Sequence, residues 1–249
     1  MTSDVERLIG STDAPVTPAR LRDDLAALGI AEGGTLIVHC AMSTIGWIAG
    51  GAQSVVDALI GAVGPTGTVT MPAHSGDWSD PSQWVAPPVP ANWWDTIDAG
   101  RPGFDPYATP LRAMGAVAEN LLLRRATLRS GHPLHSHMAH GFHAGAITAR
   151  HDLDDSFGDS SPLGRLYEMD ATIVLIGVGH ERNTSLHLAE ARASWEGRST
   201  VRQSTMVMRE GSPHQVEWDM LDHSTDDFTS IGDALDDGCL LYTSDAADE

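Results

Sequence analysis

Residues Thr172–Arg192 read TIVLIGVGHERNTSLHLAEAR, and this stretch decides the fold class. Thr172–Val178 is an uncharged, β-branched apolar run, the pattern of a strand covered on both faces. Gly177, Gly179 and the polar His180–Asn183 break the run. Asn183, Thr184 and Ser185 are N-cap residues ahead of a helix over Leu186–Ala193. A buried strand ending in a polar turn that opens a helix is where open α/β sheets place their sites. His187 falls in the first turn of that helix, with Glu190 and Ala191 on its face at i+3 and i+4. The positive helix end disfavours an imidazolium, so a neutral ring able to take a proton is expected there. Read in isolation, the same residues also describe a capping cluster around one buried histidine.

The same grammar recurs upstream. Thr17-Pro18 opens a capped helix that runs to Leu28 and stops at Gly29. Thr35–Ala41 (TLIVHCA) is a buried strand with His39 near its carboxyl end. Ser43–Gly51 (STIGWIAGG) is a glycine-rich loop, and Gln53–Val63 a helix with one apolar face. Thr68–Pro72 is a second strand. This is a βαβ unit, so a single α/β domain with a central mixed or parallel sheet flanked by helices is expected. Residues 1–17 are read as a flexible lead-in, 18–238 as the domain and 239–249 (CLLYTSDAADE from Cys239) as a non-native or truncated tail. Ala73–Pro110 is a long loop rich in Pro, Gly, Asp and Trp, a kind that is usually functional. Its tryptophans and aspartates suit a cationic, ring-shaped ligand, or else make a small core of their own. Helices are expected at Leu111–Arg125, Ser161–Met169 and Asp226–Leu235, and a hairpin joins Thr200–Met208 to Val216–Leu221.

The 249 residues carry 15 Lys+Arg against 34 Asp+Glu, a formal charge of −19. Such a surface repels nucleic acid and anionic membrane and attracts cations. All basic side chains other than histidine are arginine, which excludes a Schiff-base lysine. Neither a membrane span nor a secretory leader is visible, and two cysteines build no disulfide framework, so a cytoplasmic protein is expected. Five histidines between His132 and His143 raise a metal site, but their spacing fits neither H-E-x-x-H nor a cysteine–histidine finger. No metal is expected. Adjacent strand residues face opposite ways, which makes Cys40 a small core residue rather than a nucleophile paired with His39. The polar strand ends are His39, Met71–Ser75 and His180–Glu190, with Asp222 and His223 following the hairpin. A histidine at a helix start with a carboxylate is a minimal general-base pair.

Several long motifs, in order, resemble the aminoglycoside 3-N-acetyltransferases of the antibiotic N-acetyltransferase family. They are Leu36–Trp84 (LIVHCAMSTIGWIAGGAQSVVDALIGAVGPTGTVTMPAHSGDWSDPSQW), Pro87–Ile97, Phe104–Val117, Arg129–Gly141 (RSGHPLHSHMAHG) and Ser161–Ala193. The resemblance implies an α/β fold unrelated to the GNAT acetyltransferases, with acetyl-coenzyme A as donor. The acceptor would be the 3-amino group of an aminoglycoside's 2-deoxystreptamine ring, giving resistance to the antibiotic. It implies His187 of the T-S-L-H motif as base, backed by Asp222 of MLDHS or, second, by Glu190, with His39 lining the same site. It further implies coenzyme A contacts at Ser43, Gly46, Trp47, Gly51, His132 and Ser136. Substrate contacts would come from Asp77, Asp80, Asn183, Glu190 and Asp222, in a monomer or homodimer. This chain departs from the family at Cys40, where serine is usual, and at His137 and His140. An acetyltransferase of the same fold for another amine, or a metal-dependent hydrolase built on the histidine-rich stretch, are the competing readings.

Overall fold

A computed structural model describes residues 4–235 and 240–242. Helices α1 (Asp4–Gly10) and α2 (Pro18–Ala27) precede the first strand, β1 (Thr35–Cys40), which is followed by α3 (Gly51–Val63) and β2 (Thr68–Pro72). A long excursion contains the short α4 (Trp94–Gly100) and ends at α5 (Gly115–Leu122). Next come β3 (Leu128–Arg129), β4 (His137–Gly141), α6 (Ala144–Thr148), α7 (Pro162–Glu168) and β5 (Thr172–Ile176). Helix α8 (Leu186–Arg192), a hairpin of β6 (Thr200–Arg209) and β7 (Ser212–Leu221), α9 (Phe228–Asp233) and β8 (Leu240–Tyr242) complete the chain.

The sheet order is β3-β4-β2-β1-β5-β8. β1 pairs in parallel with β2 and β5, and β5 with β8; β4 runs antiparallel to β2 and β3. The sheet is therefore mixed, as expected. The pleat of β1 sends Leu36 and Val38 into one core with α2, α3 and α5, and Ile37 into a second with α6, α7 and α8. Cys40 packs against the first of these, as its alternation with His39 requires.

Two stretches differ from the expected boundaries. The lead-in is structured from Asp4: Val16 is buried and exchanges hydrogen bonds with Trp47 and Ala49, while the Thr12 hydroxyl accepts from Trp47 N–H. The apolar face of the glycine-rich loop needed a cover, and residues 12–16 supply it. Leu240–Tyr242 lie within the stretch read as a non-native tail, yet pair with Val174–Ile176 of β5.

The excursion 73–110 is fastened from below by Arg129. Its guanidinium, 6% exposed, donates to the Ala73 and Thr109 carbonyls at 2.7 and 2.6 Å and to the Ser75 and Ser136 hydroxyls. It also lies over the Phe104 ring, 5.1 Å from its centre. Phe104 in turn pairs with Met206 and Met208 of the hairpin. Of the excursion's tryptophans, Trp78 packs outside it, on Leu134 and on Trp218 and Met220 of the hairpin, Trp84 donates to Ser79, and Trp93 is exposed. The hairpin turns over Glu210-Gly211, both at positive φ, the two-residue turn that matches strand twist.

Candidate active site

The carboxyl ends of β1, β2 and β5 open onto a cleft of about 700 Å³ whose wall includes His39, Cys40, Ser43, His74, Glu181, Arg182 and His187. The turn after β5 is fixed by Thr44, whose hydroxyl donates to the Ala41 carbonyl at 2.7 Å and sits 2.9 Å from the Gly177 carbonyl oxygen. Gly177 has φ +64, and a Cβ there would collide with that hydroxyl. Only glycine lets the two strand exits approach this closely.

Of the capping candidates before helix α8, Asn183 supplies the side-chain bond and the Ser185 hydroxyl makes none. The Asn183 side-chain oxygen accepts from Ser185 N–H, and Leu186 N–H bonds to the Asn183 carbonyl. His187 then stands in the first turn and Glu190 one turn later, with Nδ1 and Oε2 2.6 Å apart. Glu190 is held from three directions. His223 Nδ1 reaches the same Oε2 at 3.0 Å, and Ser224 N–H donates to Oε1 at 3.1 Å. Burial pushes the Glu190 carboxyl up, but the hydrogen bonds from His187, Ser224 and His223 outweigh it and bring the pKa down to about 2. With Oε2 accepting from Nδ1–H of His187, that ring keeps its lone pair on Nε2. Phe157 stacks on His187 at 4.4 Å between centres, and Phe228 meets it edge-on at 4.7 Å. Such packing limits the ring to one orientation.

His39 is 6% exposed; burial lowers it to about 3, and its Nε2 has no partner. His74 Nε2 is likewise unpartnered, and burial followed by the neighbouring His187 lowers it to about 3. Both are neutral acceptors or donors on the cleft wall. Burial pushes the Cys40 thiol up to about 12, so it presents no thiolate.

Of the two acids weighed for the base, Glu190 is the one brought to His187. Asp222 is exposed, and it is the next residue, His223, that turns inward. On a strand exit a shift of one position reverses the side chain's direction. Of the residues implied for coenzyme A, Ser43 lines the cleft. Gly46 and Trp47 face Thr12, and Gly51 begins α3. His132 is fully buried, its Nδ1 accepting from Leu134 and His135 N–H, and Ser136 is buried on Arg129 and Ala73. Of those implied for the acceptor, Asn183 is 1% exposed and spent on its own turn. Asp77 pairs with Arg112, and Asp80 caps the turn at Ser82. Sequence reasoning did not assign sites to His223, His74, Phe157, Phe228, Glu181 or Arg182. His223 was visible one position from Asp222, whereas Phe157 stands in an aperiodic loop that gave no signal.

Among the described residues, the donor atoms that gather closely enough to hold a metal are those of His187, Glu190 and His223, all within 4.8 Å of one another. The His132–His143 stretch does not gather such a set. None of the described helices is long and apolar enough to cross a membrane.

An α/β sheet carrying an oriented histidine–carboxylate pair on the wall of a large cleft at its strand ends is the layout of an enzyme. The family model for aminoglycoside 3-N-acetyltransferase matches residues 37–246, and the chain belongs to that family of acyltransferases, whose cosubstrate is acetyl-coenzyme A. The SPbeta prophage-derived aminoglycoside N(3')-acetyltransferase-like protein YokD of Bacillus subtilis is 35% identical over 93% of this chain and 85% of its own. Its crystal structure superposes with a TM-score of 0.90 over the same shares. The aminoglycoside N(3)-acetyltransferase VII of Streptomyces paromomycinus is 37% identical over 82% of this chain and 70% of its own. A structure of AAC-IIIb in binary complex with CoASH is 30% identical, with a TM-score of 0.79 over 90% of this chain and 86% of that one.

Proposed function

We propose that this chain moves the acetyl group of acetyl-coenzyme A to the 3-amino group of the 2-deoxystreptamine ring of aminoglycosides, with His187 as general base. The observation that carries the reading is the 2.6 Å contact of Glu190 Oε2 with Nδ1 of His187, a residue of the cleft wall. An ammonium has no lone pair, so the acceptor must lose a proton before attack on the thioester. Glu190 fixes the tautomer and offsets the charge of the imidazolium, and His223 with Ser224 N–H keeps the carboxylate in place. The ammonium loses one proton to solvent; as the free amine nitrogen forms the new bond to the acetyl carbon, His187 Nε2 takes the second, the C–S bond breaks, and the leaving thiolate recovers that second proton from the imidazolium. A base of this kind is worth roughly 10²–10⁴ in rate.

Transfer is direct, within a ternary complex: a deprotonated amine attacks the thioester itself, so no acyl-enzyme is needed. Glu181, on the cleft wall, would partner an acceptor ammonium, and Ser43, on the same wall, would meet the coenzyme. The charge of −19 draws polycations toward the protein. The protein is proposed to work in the cytoplasm, where acetyl-coenzyme A is made.

The test is release of thiol from acetyl-coenzyme A with gentamicin, apramycin or kanamycin as acceptor, in wild type and His187→Ala. Acceptor-dependent release that falls at least about 100-fold in the variant is expected. Undiminished release in the variant moves the base to another residue. No release from folded wild type with any acceptor removes the aminoglycoside assignment. Labelled acetyl retained on the protein without acceptor contradicts direct transfer.

A further inference from the structure

The contacts around Glu190 have a property that proton transfer does not require. Two imidazoles from opposite ends of a loop-and-hairpin excursion aim the same ring nitrogen, Nδ1, at one carboxylate oxygen, at 2.6 and 3.0 Å. Base orientation needs one such contact. The second brings two imidazoles and a carboxylate to a common point, with every donor atom within 4.8 Å of the others.

We propose that His187, Glu190 and His223 also form a binding site for a divalent transition metal of the zinc type, and that occupancy switches the enzyme off. Two nitrogens and one oxygen form a donor set that selects Zn²⁺, Co²⁺, Ni²⁺ or Cu²⁺ over Mg²⁺ and Ca²⁺. Zinc–nitrogen bonds are about 2.0–2.1 Å long, which sets neighbouring ligand atoms roughly 3.3 Å apart, so a metal would part each ring nitrogen from Oε2 by less than about 1 Å and draw the two nitrogens together. Metal-binding imidazoles are usually oriented through their other nitrogen. His223 Nε2 already lies 3.2 Å from the Ser156 hydroxyl, and Phe157 fixes both rings, at 4.4 Å from His187 and 4.8 Å from His223. There are two ways in. His187 borders the 700 Å³ cleft, and His223 borders a second cavity of about 130 Å³ that Asp154, Asp155 and Asp219 make acidic. A water from either side completes the coordination.

Inhibition follows from the choice of nitrogen, and this half of the proposal rests on His187 being the base. A metal on Nδ1 displaces the proton held there. In a neutral ring that proton is re-bound at Nε2, through solvent, with no net release. His187 then offers an N–H where the acceptor's proton has to land. The cleft stays open and the coenzyme still binds, but no lone pair faces the amine.

The experiment titrates metal-free protein with Co²⁺ alone, without coenzyme or antibiotic, and follows the visible absorption of the bound ion. One Co²⁺ per chain, displaced by one equivalent of Zn²⁺, is expected. His223→Ala and Glu190→Gln should each weaken binding at least tenfold, while His214→Ala, on the exposed hairpin, should leave it unchanged. Because a variant can misfold, imidazole ¹⁵N spectra of wild type give an independent reading: Zn²⁺ should convert two rings from Nδ1–H to Nε2–H. Absence of that conversion, several weak sites in place of one, or Co²⁺ binding indifferent to His223→Ala would overturn the site. Inhibition is read by mass of acetylated product, since free coenzyme A itself binds zinc. Co²⁺ binding in a protein that acetylates no aminoglycoside sustains the site and overturns only the proposed acceptor. Full transfer with Zn²⁺ bound overturns the inhibition.

Discussion

Acid should unfold this protein before its carboxylates titrate, and the reason is histidine. His39, His132 and His137 are 6%, 0% and 0% exposed. Burial, reinforced for the last two by neighbouring histidines, lowers His39 to about 3 and puts His132 and His137 well below the ordinary value of 6.5. Each is neutral when folded and free to bind a proton once unfolded. Stability is therefore fully present above about pH 6.5 and is lost as the pH falls below it, because the unfolded state then holds more protons. At pH 5 His39 alone costs about 2 kcal/mol, and His132 and His137 act in the same direction. Domains are stable by only about 5–15 kcal/mol. His74, His135 and His151 belong to the same set of touching rings, and burial lowers them too, so they act in the same direction. Urea unfolding followed by tryptophan fluorescence at pH 7.5 and pH 5 measures the difference. A loss of at least about 2 kcal/mol is expected; a change below about 1 kcal/mol would refute the assignment of these rings as buried and neutral.

Three further substitutions probe separate parts of the molecule. Glu190→Gln, which removes the charge that orients His187, should lower kcat by about 10²–10³ with little change in the KM for acetyl-coenzyme A, measured by steady-state kinetics. Arg129→Met strands the Thr109 carbonyl in the interior and leaves the Ala73 carbonyl with Ser136 alone, and should cost about 3 kcal/mol in denaturant unfolding. Gly232→Ala places a methyl group inside the His180 ring. It should displace α9 and Phe228 from the cleft wall, raising KM while Tm falls by a few degrees, about 2–4 °C per kcal/mol lost.

The sheet was legible because its strands are apolar runs and its helices carry caps and one-sided apolar faces. Thr35–Cys40, Thr172–Ile176 and Leu186–Arg192 fall within a residue or two of expectation. The place of His187 was legible too, since a histidine at a helix start after a buried strand is positioned by both elements. Its acid was ambiguous because Asp222 and Glu190 are equally good carboxylates on paper. The choice depends on which way the chain faces as it leaves β7, a tertiary fact. The contacts implied for the coenzyme and the acceptor were the least legible. His132, Ser136 and Asn183 are polar in type, which reads as available, but each spends its polarity on backbone groups nearby. Conversely Phe157, which clamps the base, is a lone aromatic in a loop and obeys no period.

The parallel pairing of β1 with β5 joins Ile37 to Ile173, and this bears on how the protein is made. Helices α2 and α3 and strands β1 and β2 pack locally, so a first half-core forms from neighbouring sequence. The cleft does not. His39 waits for β5 and α8 to arrive, and Glu190 waits for His223, after the hairpin has closed. Contacts spanning such lengths of chain are slow to form. A ribosome-bound chain therefore carries an exposed, histidine-lined sheet edge until most of the protein has emerged, and that edge is where a chaperone or a misfolding partner would meet it first.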